Sequence, residues 1–228
     1  MNVTTTGLTK AAGLAAAAAG AIFIAVQVNH PATDAYLTET DEWVARCSAK
    51  AVMGALALAG ITGIYLSQVR RMKVLGLVGY LTFAVGYLTL FATQMMAVFF
   101  LPALTGRASR FVADVVVAAD GGKPTGDIGH IQVLFNITGA CYMLGGLLFG
   151  IAIFRAGVLS RWAAALLAVA TVATASLAIL PEAFNRPMAV PTGIAFIGLG
   201  LSLWRATGAA NDVTEESARR PAGTAAAR

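Results

Sequence analysis

Residues 74–106 read VLGLVGYLTFAVGYLTLFATQMMAVFFLPALTG, with no Asp, Glu, Lys or Arg between Lys73 and Arg107. A helix crosses about 30 Å of hydrocarbon in roughly 20 residues, so this run holds one span with residues to spare for a turn. The run is continuous, whereas a membrane β-strand would be short and would alternate between polar and apolar positions. Further charge-free runs lie at residues 11–29, 51–69, 131–154, 162–181 and 187–204. The expected fold class is therefore all-α: a polytopic membrane helix bundle of six transmembrane helices in a lipid bilayer.

Composition agrees with that reading. The 228 residues are 58% hydrophobic and 12% charged, with a mean hydropathy of +0.75, whereas soluble domains carry roughly 25% charged residues. This excludes an ordinary water-soluble globule. The net charge of +5 does not point to nucleic acid, because the basic residues mostly flank the apolar runs, where topology accounts for them. Run 11–29 follows Lys10 as a signal peptide would, but no small-residue cleavage site comes after it. Cys47 and Cys141 lie near the start of one span and well inside another, which implies no disulfide framework and no thiol redox motif.

With the amino end inside, ten of the sixteen basic residues fall on the cytoplasmic side: Lys10, Arg70, Arg71, Lys73, Arg155, Arg161, Arg205, Arg219, Arg220 and Arg228. The positive-inside rule favours this orientation in the cell inner membrane, with both termini cytoplasmic. Residues 108–119 place Phe111, Val112, Val115 and Ala119 at helical spacing and Arg110 four before Asp114, the pattern of one interfacial helix. Residues 1–205 thus form a single transmembrane domain. Residues 206–228, small, polar and charged, are expected to be a disordered cytoplasmic tail. Ala55, Ala59 and Gly63, and again Gly146 and Gly150, repeat every fourth residue and mark close helix packing.

No familiar catalytic signature occurs. The segment at residues 121–126, GGKPTG, lacks the spacing and the preceding strand of a phosphate loop. His30 and His130 stand apart from each other, so no metal site is expected, and no cofactor is implied. What remains is a constellation toward the outer leaflet. Gln27, Gln94, Gln132 and Asn136 are amides within spans, and polar groups there call for partners or a wet cavity.

On the third span Tyr80, Phe83, Tyr87, Phe91 and Gln94 recur at intervals of three or four and form one stripe leading to an amide. Such a stripe serves lipid contact and packing, or it lines a site whose ring faces stabilise a cation. Asp41 and Glu42 begin the second span, where the positive helix end favours carboxylates, so capping is their simplest role. Glu182 follows the fifth, where the negative end disfavours the ionised form, which makes it the better general-acid candidate.

The chain over residues 7–205 resembles small bacterial multi-pass membrane proteins of unknown function. The resemblance rests on Gly63-Ile64-Tyr65, on Gly76-Leu77-Val78-Gly79-Tyr80, and on Gly150-Ile151-Ala152 with the run from Arg155 through Gly157 and Leu159 to Arg161-Trp162. By size, helix count and acids at helix ends it more distantly resembles the small integral membrane terpene cyclases, including the drimentine-type cyclases of prenylated indoles. That second resemblance implies a proton-initiated cyclase, an isomerase or lyase acting on a lipophilic isoprenoid-type substrate. Glu182 would be the acid and Glu42 or Asp41 a second carboxylate, with Tyr80, Phe83, Tyr87, Phe91, Gln94 and Asn136 about the substrate. The other readings are a membrane carrier or accessory subunit without catalysis, and a structural protein. The sequence does not fix the substrate or the oligomeric state.

Overall fold

A computed structural model describes residues 3–28, 37–175 and 187–219, with side chains through residue 209. Its helices are α1 (Thr5–Ala25), α2 (Asp41–Ser67), α3 (Val69–Phe99), α4 (Leu101–Thr105), α5 (Ser109–Ala119), α6 (Ile131–Ala156), α7 (Arg161–Ala173) and α8 (Ala189–Arg219), and the described residues contain no strand. Five helices are long and apolar enough to cross a membrane: α1, α2, α3, α6 and the Ala189–Ala209 part of α8. The sixth expected run, 162–181, is seen as the shorter apolar α7, and its last residues lie outside the described ones. Helix α8 continues to Arg219, past the boundary at residue 205 that composition marks for the tail.

Local chemistry sets the helix ends. Thr4 Oγ1 accepts from the Gly7 amide at 3.0 Å and opens α1; Thr40 Oγ1 accepts from the Trp43 amide at 3.2 Å and opens α2. Both fill donors that a first turn otherwise leaves empty. Gly157, at φ 65°, ends α6 in the left-handed conformation that glycine adopts without penalty. Lys73 takes φ 52° and ψ −152° and breaks α3 one turn after its start.

The long helices form a closed ring in chain order. Helix α1 packs on α2, α2 on α3, α3 on α6, α6 on α7, α7 on α8, and α8 returns to α1. Small residues set the seams, because helix association in lipid depends on backbones approaching closely. A Cβ on Gly79 or Gly86 would meet the α6 backbone at Phe149 or Tyr142, and one on Gly13 or Gly20 would meet the α8 carbonyls of Gly200 or Gly193. Gly146 and Gly150 meet α7, as their spacing leads one to expect. On α2 the packing row is Gly54, Ala57 and Gly60 instead. Ala55 and Ala59 are exposed, and of the expected row only Gly63 makes the close contact, against Ala12.

Phe83, Phe149, Ile61, Ile153, Leu167 and Leu199 fill the centre, while Leu88, Leu144, Trp162 and Val169 stand out from the ring. An exterior as apolar as the interior suits a solvent of lipid chains.

The two ends of the ring differ. Lys10, the α2–α3 turn with Arg70, Arg71 and Lys73, the α6–α7 turn with Arg155 and Arg161, and Arg205 of α8 gather at one, the basic end. Ser202 Oγ accepts from the Ser160 amide at 3.0 Å and ties two of these segments together. Across the opposite end α4 and α5 form a cap. Helix α5 turns Val112, Val115 and Val116 onto Cys47, Ala97 and Leu101, so the amphipathic segment is a helix with its apolar face buried. Trp43 Nε1 donates to the Ala97 carbonyl at 3.0 Å, and Thr38 and Thr105 join hydroxyls at 2.6 Å.

Candidate functional site: the aromatic core and the capped end

The α3 stripe turns inward, and its members take separate roles. Phe83 and Tyr87 are buried, with ring centroids 4.9 Å apart in an edge-on pair. Three rings that the stripe alone does not reveal join them: Tyr142 and Phe149 from α6, and Phe196 from α8. Phe83 lies 5.7, 6.3 and 6.1 Å from those three, and Tyr87 sits edge-on to Tyr142 and Phe196 at 6.0 and 5.7 Å. Gly79 and Gly86 of α3 and Gly145 of α6 draw the two helices together and make this convergence possible, and the seven-residue interval from Gly79 to Gly86, which puts both on one helix face, was the available sequence signal. The Tyr142 hydroxyl is engaged with Thr192 at 3.2 Å.

Tyr80 is half-buried. It stacks on Tyr65 at 4.7 Å and shares a hydrogen bond with the Thr62 hydroxyl at 3.1 Å. Phe91 packs near Gly54 on the α2 side, apart from the central rings. Gln94 carries a buried Oε1 with no hydrogen-bond partner, as does Gln27. Buried and unpaired amide oxygens are costly, and both lie toward the capped end. Asn136 does not join them. It is exposed and accepts from Gln132 Nε2 at 3.1 Å. It precedes Tyr142 by six residues and so lies on another face of α6.

Beside the rings α1, α2, α3 and α8 meet in a closely packed crevice bordered by Phe23, Met53, Tyr87 and Phe196, with no room for a water molecule. Edge-on rings of this kind can hold hydrocarbon by dispersion and face a cation with their π-clouds where neighbouring side chains move aside to admit one.

The carboxylates separate by place. Glu42 is paired with Arg46 at 2.8 Å, and Arg46 also donates to the Val26 and Val28 carbonyls at 3.0 and 3.1 Å, closing the end of α1. Asp41 is exposed in the first turn of α2. Both sit where a helix N-terminus stabilises them, and neither is brought to the aromatic rings. Glu182 lies outside the described residues, as do His30 and Arg186.

The buried carboxylate that the structure does show, Asp114 on α5, was legible in the sequence only as a neighbour of Arg110. Its Oδ1 accepts from the Thr125 amide at 2.6 Å and the Thr125 hydroxyl at 3.0 Å, and its Oδ2 from the Gly126 amide at 3.1 Å. The Thr125 amide is the main reason this carboxyl sits below the usual carboxylate range. The Thr125 hydroxyl, the Gly126 amide and the Arg110 charge act the same way, while burial opposes them. The GGKPTG segment therefore does cradle an anion, and the anion is the protein's own side chain. A Cβ at Gly126 would crowd Oδ2.

Cys47 and Cys141 are both free. Among the described residues no three His, Cys, Asp or Glu side chains come together as metal ligands would. The chain matches no protein-family model, no curated protein and no solved structure.

Proposed function

We propose that the chain is a six-span inner-membrane protein, with the basic end and both termini cytoplasmic, that binds a lipophilic isoprenoid-type molecule among its central rings. The observation that supports the binding reading is the convergence of Phe83, Tyr87, Tyr142 and Phe196 at the centre of the bundle. Orientation is supported by the gathering of basic side chains at one end. In this reading Phe23 and Met53, side chains with freedom to change rotamer, swing aside to admit the ligand. Helix α5 then lies along the outer interface, and the apolar run at residues 162–181 supplies the sixth span.

The catalytic form of the proposal assigns Glu182 as the acid that protonates a terminal alkene, with the ring faces sheltering the carbocation. Glu42 is committed to Arg46 and is the weaker choice. A second reading, a carrier or accessory subunit without catalysis, is supported by the close packing around these rings, which leaves no room for a water molecule.

A photoreactive prenyl probe, applied to membranes and mapped by peptide mass spectrometry, tests the shared part. Labelling should fall on α3 and α8 near Tyr87 and Phe196, and labelling confined to outward residues would refute it. Product analysis with prenylated compounds separates the two forms, since Glu182→Gln should lower turnover by roughly 10² to 10⁴-fold. Reporter fusions within residues 123–127 and after Trp204 should read outside and inside respectively.

A further inference from the structure

At the basic end, the α2–α3 and α6–α7 turns enclose two clefts that share Arg70 and Arg71. The first, of about 490 Å³, lies against Ser67, Gln68 and Val158. The second, of about 560 Å³, adds Lys73 and Arg155. Four cations therefore face one region, and among the described residues no carboxylate lines it. The ion pair between Arg46 and Glu42 belongs to the opposite end.

Gln68 gives this region a chemical specification. It is only 4% exposed, yet neither Nε2 nor Oε1 has a hydrogen-bond partner. Its backbone is fixed: the amide donates to the Tyr65 carbonyl at 3.2 Å, and its own carbonyl accepts from Arg71 and Met72 at 2.9 and 3.1 Å. A buried amide with both functions unmet is a site lacking a donor and an acceptor together. Lys73, a non-glycine residue at φ 52°, is a strained turn of the kind kept where surrounding structure or a ligand demands it. Exposed Leu66, Val69 and Val74 flank the cations with apolar surface.

We propose that this region binds the phosphate of an anionic lipid headgroup. Arg70, Arg71, Lys73 and Arg155 neutralise the phosphate, and guanidinium groups suit its oxygens. Gln68 reorients slightly at the cleft floor so that Nε2 donates to a phosphate oxygen and Oε1 accepts from a headgroup hydroxyl. A glycerol phosphodiester carries both functions. Free phosphate shares the anion chemistry, but the apolar flanks favour a headgroup whose acyl chains lie along Leu66 and Val74.

The full chain, purified in mixed micelles, is offered phosphatidylglycerol, phosphatidylmethanol and phosphatidylcholine, and retained lipid is read by native mass spectrometry. Phosphatidylglycerol should be kept over phosphatidylcholine. Arg70→Gln/Arg71→Gln should weaken it about 30-fold, each surface cation being worth roughly fivefold. Because losing two loop charges can invert a span, Gln68→Leu provides a second test that leaves every charge in place. It should abolish the preference for phosphatidylglycerol over phosphatidylmethanol while both remain favoured over phosphatidylcholine. Equal retention of phosphatidylglycerol and phosphatidylcholine by the unaltered chain overturns the proposal, and so does a Gln68→Leu chain that still tells the two anionic lipids apart. Thermal protection by sodium phosphate over sodium chloride at equal ionic strength, with no lipid preference, would assign the same side chains to free phosphate and overturn the lipid assignment.

Discussion

Replacing Phe83 with Ala measures how far the centre of the bundle is a packed core. Phe83 is fully buried and lies within 6.3 Å, ring to ring, of Tyr87, Tyr142, Phe149 and Phe196. In lipid the transfer contribution largely drops out, because the surroundings outside the bundle are as apolar as those inside. What remains is the hole and the lost ring contacts. A residual space of roughly 100 Å³ at about 24 cal/mol per Å³ costs about 2.4 kcal/mol. Ring pairs contribute about 0.5–1.5 kcal/mol each but overlap here, so the total loss is about 3–4 kcal/mol. For a chain of this size that lowers Tm by about 6–16 °C. In a Cys141→Ser background a thiol-reactive fluorescent dye reads the transition, since Cys47 is free and buried until the structure opens, whereas Cys141 is only partly buried. Phe83→Leu keeps most of the volume and should lose less than half as much. A fall below about 2 °C for Phe83→Ala would refute the reasoning and indicate a site already open enough to absorb the change.

Gly145→Ala should destabilise by about 3 kcal/mol, because the new Cβ overlaps the Phe83 backbone, which cannot swing aside. Gly139→Ala on the same helix, with open space at its Cβ, should be neutral or stabilise by up to about 1 kcal/mol in the same dye assay. Asp114 should make the cap sensitive to acid. Its folded pKa is depressed, so its contribution is present above the unfolded value of about 3.9 and is lost as pH falls through the lower folded value. Hydrogen exchange at Thr125 and Gly126, corrected for intrinsic rate, should show protection from neutral pH down to that range and none at any pH in Asp114→Ala. Protection fading between pH 7 and 5 would contradict it.

Hydropathy made the helices legible because lipid leaves the backbone few other solutions, and run lengths carried that information directly. Facing was harder to read. Since lipid and core are both apolar, nothing in the α2 sequence separates the exposed Ala55 and Ala59 from the packing row of Gly54, Ala57 and Gly60. The α3 stripe was visible as a period, but its partners Tyr142, Phe149 and Phe196 come from distant helices that only the ring order brings together. Arg110 and Asp114 at helical spacing marked a helix, but nothing in that spacing shows that the loop amides of Thr125 and Gly126 hold the carboxylate. Gln68 escaped the list of intramembrane amides because it stands in a turn, and its burial depends on how two turns lie side by side.

The closed ring in chain order bears on assembly during synthesis. Each of the seams from α1–α2 through α7–α8 joins helices that leave the translocon one after another, so each can form against a neighbour already present. The α1–α8 seam alone joins the earliest helix to the latest. Until α8 arrives, α1 shows lipid the face carrying Gly13 and Gly20, a surface to which any other small-residue helix can adhere. A circular permutant that starts at α2 and ends with α1, tethered to α8 where Lys10 approaches Gly208, would make that closure local. The seam joining earliest to latest would then be α1–α2, so the permutant should move the exposed small-residue face to Gly60 and Gly63 of α2, and with it the site of trapping by foreign helices.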